Sequence, residues 1–299
     1  MEINEIYKNE TSYFSPIEIN ERYGLTFIFT SSLKKPSKEE PNDFNLSFNA
    51  EANPIKVMEN RKTILDLCSI KTRNPIIFLR QTHSDKAIII DEDFLSKYKN
   101  LYLELEKPAS CLENREAVNK IIKSIPEGDA IITSMPDIPI MVFSADCNTV
   151  LICDINLRVI SAVHAGWRGV INNILNKSLN LMIRKFGCNQ KDLMLFLGPS
   201  IRKCCFEVDY NLYKKFKIKF PEAFNKNEIT DNSNKYFIEM IDILKYQAIK
   251  TGVKEKNISI IEKCTCCYGK DLFFSYRRDK KAGRQAALAY IQENINESN

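Results

Sequence analysis

Histidine is almost missing from this sequence: His83 and His164 are the only two among 299 residues. A chain this poor in histidine does not use the residue as filler, so both positions need an explanation. Tryptophan occurs once, as Trp167. No apolar run reaches the length needed to cross a bilayer, which argues against a membrane-spanning helix. Internal repeats, low-complexity tracts and long Gly/Ser- or Pro-rich linkers are likewise missing, which removes solenoids and strings of tethered modules. Charge of one sign is not in excess: 43 Lys and Arg face 38 Asp and Glu, a net charge of +5. A nucleic-acid reader concentrates far more positive charge on one face, so neither nucleic acid nor membrane is expected as a partner. The first residues, Met1 to Asn9, are charged and carry no hydrophobic stretch, so no signal peptide is expected.

Cysteine, by contrast, is plentiful, with ten residues. Without a secretory leader, these are expected to be mostly reduced thiols in a cytoplasmic setting. A cytosolic thiol usually behaves as a small buried apolar residue, so each one needs its own argument. The length suits one large α/β domain, or two modest ones, with a sizeable core.

Leu25 to Thr30 reads as a strand, followed by a polar loop over Lys34 to Asp43. Asn53-Pro54 reads as an N-cap with proline in the first helical turn, opening a helix to about Cys68 that buries Val57, Ile64 and Leu67. Ile76 to Leu79 and Ala87 to Ile90 read as buried strands. Helical spacing from Phe94 to Leu105 and again from Ala117 to Ile125 predicts a helical insertion spanning about 91–127. Strands are expected at Ala130 to Ile132, Ile140 to Ser144, Val150 to Asp154 and Val159 to Val163. A long amphipathic helix then runs from Val170 to Phe186 and closes at Gly187. Further on, strands are expected at Leu193 to Leu197, Ile258 to Ile261 and Phe273 to Tyr276. Helices are expected near Tyr210 to Phe216, at Ile238 to Thr251 and at Arg284 to Ile295. This mixture lacks a strict βαβ rhythm and favours a complex α/β fold.

Three chemically versatile residues fall where apolar runs give way to turns. His83 follows Ile76 to Leu79, Cys147 follows Ile140 to Phe143, and His164 follows Val159 to Val163. Sites in α/β folds are commonly built at strand ends. The bland alternative is a core thiol and two satisfied histidines. Two imidazoles and a thiolate suit zinc, which takes N and S ligands tetrahedrally and, with three protein ligands, keeps one position open. Asp146, beside Cys147, is placed to orient a histidine or to move a proton. Without metal, Cys147 could instead act as a nucleophile with His164 as its base.

The segment His164-Ala-Gly-Trp-Arg-Gly169 runs into a helix, so first-turn amides and Arg168 offer an anion site, while Trp167 wedges the turn. The basic run Arg277-Arg278-Asp279-Lys280-Lys281 with Arg284 is either a phosphate site or a solvated loop. Cys204-Cys205 and Cys264-x-Cys266-Cys267 do not follow a paired Cys-x-x-Cys pattern and read as plain thiols.

Together these segments resemble one family, the laccase-domain or "multicopper polyphenol oxidase" proteins now associated with purine nucleoside phosphorylase activity. The resemblance rests on Asn45-Leu46-Ser47-Phe48, Glu59-Asn60-Arg61, Gln81-Thr82-His83, Ala145-Asp146-Cys147 and His164 to Gly169. It continues through Gly198-Pro199-Ser200-Ile201, Cys204 to Val208, Cys264-Thr265, Phe273 to Arg278 and Gly283-Arg284. These occur in order between Phe44 and Ile291. The resemblance implies a single four-layer α/β/β/α domain with mixed sheets and a Zn2+ ion held by His83, Cys147 and His164. It also implies phosphorolysis of adenosine, inosine, guanosine and methylthioadenosine, with adenosine deamination as a companion reaction. Some relatives are linked instead to editing of peptidoglycan precursors. Three features depart from the pattern: Thr149 stands where proline is usual, Phe206 where tyrosine is usual, and the segment from Asp91 to Glu127 is longer.

The oxidase label does not survive counting, because copper(II) centres of that kind are built chiefly from imidazole and this chain has two. Zinc is the expected cofactor; copper could occupy the ligands but not as an oxidase centre. The expectation is therefore a zinc-dependent purine nucleoside phosphorylase with adenosine deaminase activity. Purine nucleosides and inorganic phosphate are its partners, and Asn45, Arg61 and Arg168 its substrate contacts. Oligomeric state is left open. The rivals are a metal-free Cys/His hydrolase acting on a cell-wall amide, and a non-catalytic protein stabilised by zinc.

Overall fold

A computed structural model of the chain describes residues 2–8, 11–32, 44–48, 52–107, 112–224, 235–268 and 272–293. The polar loop expected at Lys34 to Asp43 lies outside the described residues. The chain begins with β1 (Asn4–Lys8), β2 (Thr11–Ser15), α1 (Ile17–Tyr23), β3 (Leu25–Thr30) and α2 (Pro54–Leu67). Next come β4 (Ala87–Ile89), α3 (Glu92–Leu105), α4 (Arg115–Ser124), β5 (Ala130–Thr133) and β6 (Ile140–Ser144). They are followed by β7 (Asn148–Asp154), β8 (Val159–Ala165), α5 (Trp167–Ile171), α6 (Ile174–Phe186), β9 (Met194–Leu197) and β10 (Glu207–Val208). The last elements are α7 (Tyr210–Lys219), α8 (Pro221–Phe224), β11 (Tyr236–Phe237), α9 (Met240–Lys250), β12 (Ile258–Ile260) and β13 (Gln285–Ile291).

Two sheets carry the architecture, and the fold is mixed α/β as expected. One has the order β1-β2-β3-β13-β6 and is antiparallel throughout. The other has the order β12-β9-β7-β8-β5-β4, antiparallel in the middle and parallel at each edge. The middle strands of the second sheet are apolar on both faces, which is why they read as continuous hydrophobic runs rather than alternating ones. Ile131, Leu151, Ile160, Ala162 and Phe196 point into a core shared with the first sheet. Their neighbours Ile132, Val150, Ile152, Val163 and Leu195 point the other way, onto α6 and α9.

Local signals explain several elements. The Asn53 carboxamide oxygen accepts from the Ile55 and Lys56 amides, and Pro54 starts α2 where no intrahelical N–H is needed. Val57, Ile64 and Leu67 are the buried face, as their spacing predicts.

Four sequence expectations need correction. The helix expected over Arg284 to Ile295 is not what the described part of that range forms; Gln285–Ile291 is a strand between β3 and β6, buried at every position. Its Gln-Ala-Ala-Leu-Ala composition favours helix, but small side chains suit a central strand packed closely against β7 and β8 of the second sheet, and tertiary packing overrides propensity. Ile76 to Leu79 is buried but makes only single bridges. Ile77 pairs with Ile140, and Arg80 with Glu127, so the segment crosses between two partners and never builds a ladder. Phe273 to Tyr276 is not a strand either. The Gln285 side chain bonds both the amide (2.8 Å) and the carbonyl (3.1 Å) of Phe274, doing with one carboxamide what a neighbouring strand would do. The helix expected over Val170 to Phe186 is two helices, broken at Asn173, whose φ is 62°.

Candidate metal centre

Strand register brings the ligands together. In the β7–β8 pair, Thr149 lies opposite His164 and Asn148 opposite Ala165, so Cys147, one residue before β7, falls beside Gly166. The turn carrying His83 is drawn in by Asp129, just before β5, whose neighbour in the sheet is β8. The nitrogen and sulfur ligand atoms of His83, Cys147 and His164 all lie within 4.8 Å of one another. Cys147 Sγ is 3.8 Å from His83 Nε2. A tetrahedral zinc with ordinary N and S bond lengths would separate such a pair by about 3.5 Å, so the cluster is close to ready-made. His83 is exposed at the rim, Cys147 half-buried and His164 buried.

Gly166 permits this closeness: a Cβ there would sit 2.5 Å from His83 Cδ2 and 3.4 Å from Cys147 Sγ. The donor set and the glycine cradle both fit a soft tetrahedral cation.

Asp129 organises the centre, and sequence reasoning passed over it. Its fully buried carboxylate accepts from His164 Nδ1 at 2.8 Å, which fixes the tautomer and turns Nε2 toward the cluster. It also accepts from the amides of Thr82 (3.3 Å), His83 (3.1 Å) and Ser84 (2.6 Å), and from Ser84 Oγ (2.6 Å). The available signal was an acidic residue entering a strand adjacent to the histidine strand, a pattern too common to single out.

Electrostatics follow the geometry. Burial works against the Cys147 thiolate, but hydrogen bonds and charge from His164 and His83 outweigh it and bring the thiol down to about 6. Burial also opposes the charged form of His164, and Asp129 together with Cys147 overrides it, lifting the imidazole to about 9. Both shifts run in the direction of a thiolate–imidazolium pair in the metal-free cluster.

Two cavities flank the cluster. The larger, about 530 Å³, is lined by Phe48, Phe78, Phe143 and Tyr276 together with Arg80 and Arg284. Ile122 of α4 and Ile125, just after it, also line it. The smaller, about 290 Å³, is lined by Trp167, Arg168, Asn148, Arg277 and Lys280. His83, Ala145, Cys147 and Tyr276 belong to both.

The remaining expected site residues divide. Asp146 lines the smaller cavity but orients no histidine; Asp129 has that task. The Asp146 carboxylate is held by Thr265 Oγ1 (2.7 Å) and the Arg277 amide (2.6 Å). Arg168 also lines the smaller cavity, stacked on Trp167 at 4.2 Å. Arg168 belongs to α5, whose five residues make only a weak dipole, so any anion there is held by side chains.

Arg61 does not line either cavity. It is buried behind the aromatic wall, 4.5 Å from the Phe48 ring, 4.4 Å from Phe78 and 4.9 Å from Phe143, and donates to the Leu46 carbonyl. Asn45 is likewise one layer back, accepting from the Ser47 and Arg284 amides and so fixing the turn that presents Phe48. Both were expected to touch substrate; their positions make them supports of the cavity wall. Of the basic run, Arg277 and Lys280 reach the smaller cavity, while Arg278 is turned toward the carbonyls of Thr265, Cys266 and Phe273.

Comparison with known proteins fits this picture. A purine nucleoside phosphorylase of Clostridium acetobutylicum is 29% identical over 246 residues, spanning 81% of this chain and 85% of its own. A purine nucleoside phosphorylase of Bacteroides thetaiotaomicron is 26% identical over 232 residues, covering 77% of each chain. An adenosine deaminase, RL5, from an unknown prokaryotic organism is 26% identical over 233 residues, covering 77% of this chain and 80% of its own. Among solved structures, the hypothetical protein YfiH of Bacillus licheniformis matches with a TM-score of 0.76 at 22% identity, over 96% of this chain and 99% of that one. That likeness concerns the fold. The family model described as multi-copper polyphenol oxidoreductase laccase matches residues 26–292, and the chain belongs to that family.

Proposed function

We propose that the protein is a zinc-dependent purine nucleoside phosphorylase, cleaving adenosine, inosine, guanosine or methylthioadenosine with inorganic phosphate, and that it also deaminates adenosine. One observation carries the reading: an aromatic cavity and a cationic cavity meet at a His/Cys/His cluster. Phosphorolysis needs that division of space. The purine has a large π-face that stacks on aromatic rings, and phosphate needs guanidinium and ammonium donors. The reacting C1′ carbon must lie between them.

In this reading Phe48, Phe78, Phe143 and Tyr276 hold the base, while Arg168, Arg277 and Lys280 hold phosphate. A phosphate oxygen forms its bond to C1′ as the bond from C1′ to the purine nitrogen breaks, and the departing base takes up a proton. Holding both reactants removes the cost of their encounter. A zinc ion bound by His83, Cys147 and His164 would supply a Lewis acid at the junction. Relatives named for phosphorolysis and for adenosine deamination support both activities. Ile122 and Ile125 line the cavity, which supports reading the 91–127 segment as an insertion that tunes nucleoside preference.

The metal-free hydrolase has one observation of its own: Asp129, His164 and Cys147 stand in line with the thiol already acidified. Metal content measured beside phosphate-dependent release of hypoxanthine from inosine separates the readings. Zinc with phosphate-dependent release supports the phosphorylase. A metal-free preparation without that release, active on an amide, sinks it.

A further inference from the structure

Four more cysteines meet at one point. Cys204 and Cys205 lie in the turn after Gly198-Pro199-Ser200-Ile201; Cys264 and Cys267 lie beyond β12. Their sulfur atoms all fall within 4.8 Å of one another. Cys204 Sγ and Cys267 Sγ are 3.5 Å apart. None of the four is in a disulfide. A tetrahedral zinc with Zn–S bonds of about 2.3 Å places its sulfurs about 3.8 Å apart, close to this spacing. Four sulfurs converging on one centre are more than one disulfide needs, since a single S–S bond would leave two thiols without a role.

The surroundings also suit a metal. Cys264 is buried, and its sulfur accepts hydrogen bonds from the backbone amides of Arg202, Cys266 and Cys267. Amides from the second and third residues after a cysteine, closing on its sulfur, form the knuckle that orients a thiolate ligand. Cys264 and Cys267 are in fact spaced as Cys-x-x-Cys. The intervening Cys266 hides that pattern in the sequence, which is why these residues read as plain thiols. Four thiolates around a divalent cation leave two negative charges. Arg277 donates to the Cys205 carbonyl at 2.7 Å and Arg278 to the Cys266 carbonyl at 3.0 Å, so two guanidiniums lie along the loops that carry that charge.

We propose that Cys204, Cys205, Cys264 and Cys267 bind one zinc ion, which ties the turn after Ile201 to the turn after β12. Zinc is the natural occupant, because thiolates favour soft cations and zinc accepts four of them tetrahedrally. The tie bears on the first site. Ile201 donates its amide to the Asp146 carbonyl at 2.8 Å, and Thr265 donates its hydroxyl to the Asp146 carboxylate at 2.7 Å. These two of the three partners of Asp146 sit one to three residues from a proposed ligand, the third being the Arg277 amide, and Asp146 adjoins Cys147.

The test uses full-length protein purified under reducing, anaerobic conditions. Zinc per chain is measured in a His83→Ala/His164→Ala double variant, which dismantles the first cluster. One tightly held zinc is expected there, and its loss on adding Cys267→Ser. Cobalt(II) loaded into the double variant should give the visible bands and sulfur-to-metal charge transfer of a tetrahedral thiolate site. Because the serine variant can fail to fold, alkylation provides a second reading. Cys204 and Cys267 are exposed. They should resist alkylation until a strong chelator is added and then react quickly. No zinc in the double variant, immediate alkylation without chelator, a Cys204–Cys267 disulfide in the purified protein, or copper or iron in place of zinc would each overturn the proposal. None of these readouts depends on which reaction the first site catalyses.

Discussion

Substituting Asp129 by asparagine keeps the shape of the side chain and removes its negative charge and the ability of both oxygens to accept. The amide can sit two ways. With its oxygen toward His164 Nδ1 and the His83 amide, its NH2 faces the amides of Ser84 and Thr82, which now donate 2.6 and 3.3 Å to Oδ2. Two buried donors then lack an acceptor, at about 1–3 kcal/mol each. Flipped, the NH2 faces His164 Nδ1, so the ring must carry its proton on Nε2, the atom the metal needs. The first arrangement lowers stability and the second lowers zinc affinity, by about 10–100-fold for a lost partner of a ligating histidine. Thermal unfolding of metal-free protein and zinc competition against a chromogenic chelator measure the two costs. Ser84→Ala is the control: it loses the 2.6 Å hydroxyl bond to the same carboxylate but leaves the tautomer alone. Some stability should go and zinc affinity should stay. An Asp129→Asn protein matching wild type in both measurements would refute the reasoning. The acid side has a fixed sign as well. Burial resists the Asp129 charge, yet the hydrogen bond from His164 wins and holds the carboxyl below the usual range. Its contribution is present above the unfolded value of about 3.9 and is lost as pH falls through the lower folded value.

Cys147→Ser and His164→Ala are each expected to abolish phosphorolysis and deamination together while the fold survives; loss of one activity alone, with zinc retained, would count against a shared site. In metal-stripped protein, alkylation of Cys147 followed by peptide mass mapping should show a midpoint near pH 6, with reaction rising above it, and a midpoint near that of ordinary thiols would discard the acidified cluster. Arg168→Ala should raise the KM for phosphate about tenfold or more, from loss of a charge-assisted bond of about 1.5–3 kcal/mol, and should touch deamination far less. Equal damage to both activities would mean that Arg168 only braces Trp167. Arg61→Ala should lower the melting temperature, since three cation–π contacts at about 0.5–2 kcal/mol each disappear from behind the aromatic wall; unchanged stability with a large KM effect would restore Arg61 as a direct contact.

The three ligand candidates were legible because rarity and position agreed: the only histidines and one cysteine each ended an apolar run. Strand identity was legible where both faces are apolar, as in β7 and β8, and failed where alanines made β13 look helical. What could not be read was depth. Arg61 and Arg168 are both arginines in motif-like segments, yet one lies behind the cavity wall and the other on it. Only the packing of α2 against the wall separates them. Asp129 was invisible for the same reason, since its importance comes from five donors gathered by tertiary structure.

Those donors also explain how the cluster tolerates its own backbone. His83 has φ 57° and Asp146 φ 88°, both in the left-handed region that costs a non-glycine residue about 1–3 kcal/mol. The two strained turns carry or adjoin the proposed ligands, and each is held by one buried carboxylate. Asp129 accepts the amides of Thr82, His83 and Ser84 and so fixes the first turn. Asp146 reaches out to Thr265 and Arg277 and so fixes its own. In each turn the carboxylate bonds across to a segment distant in sequence, so neither turn would adopt this shape in isolation. Releasing an anchor gives the backbone a less strained alternative close by while leaving both hydrophobic cores in place. Ligand direction should therefore fail before the fold does.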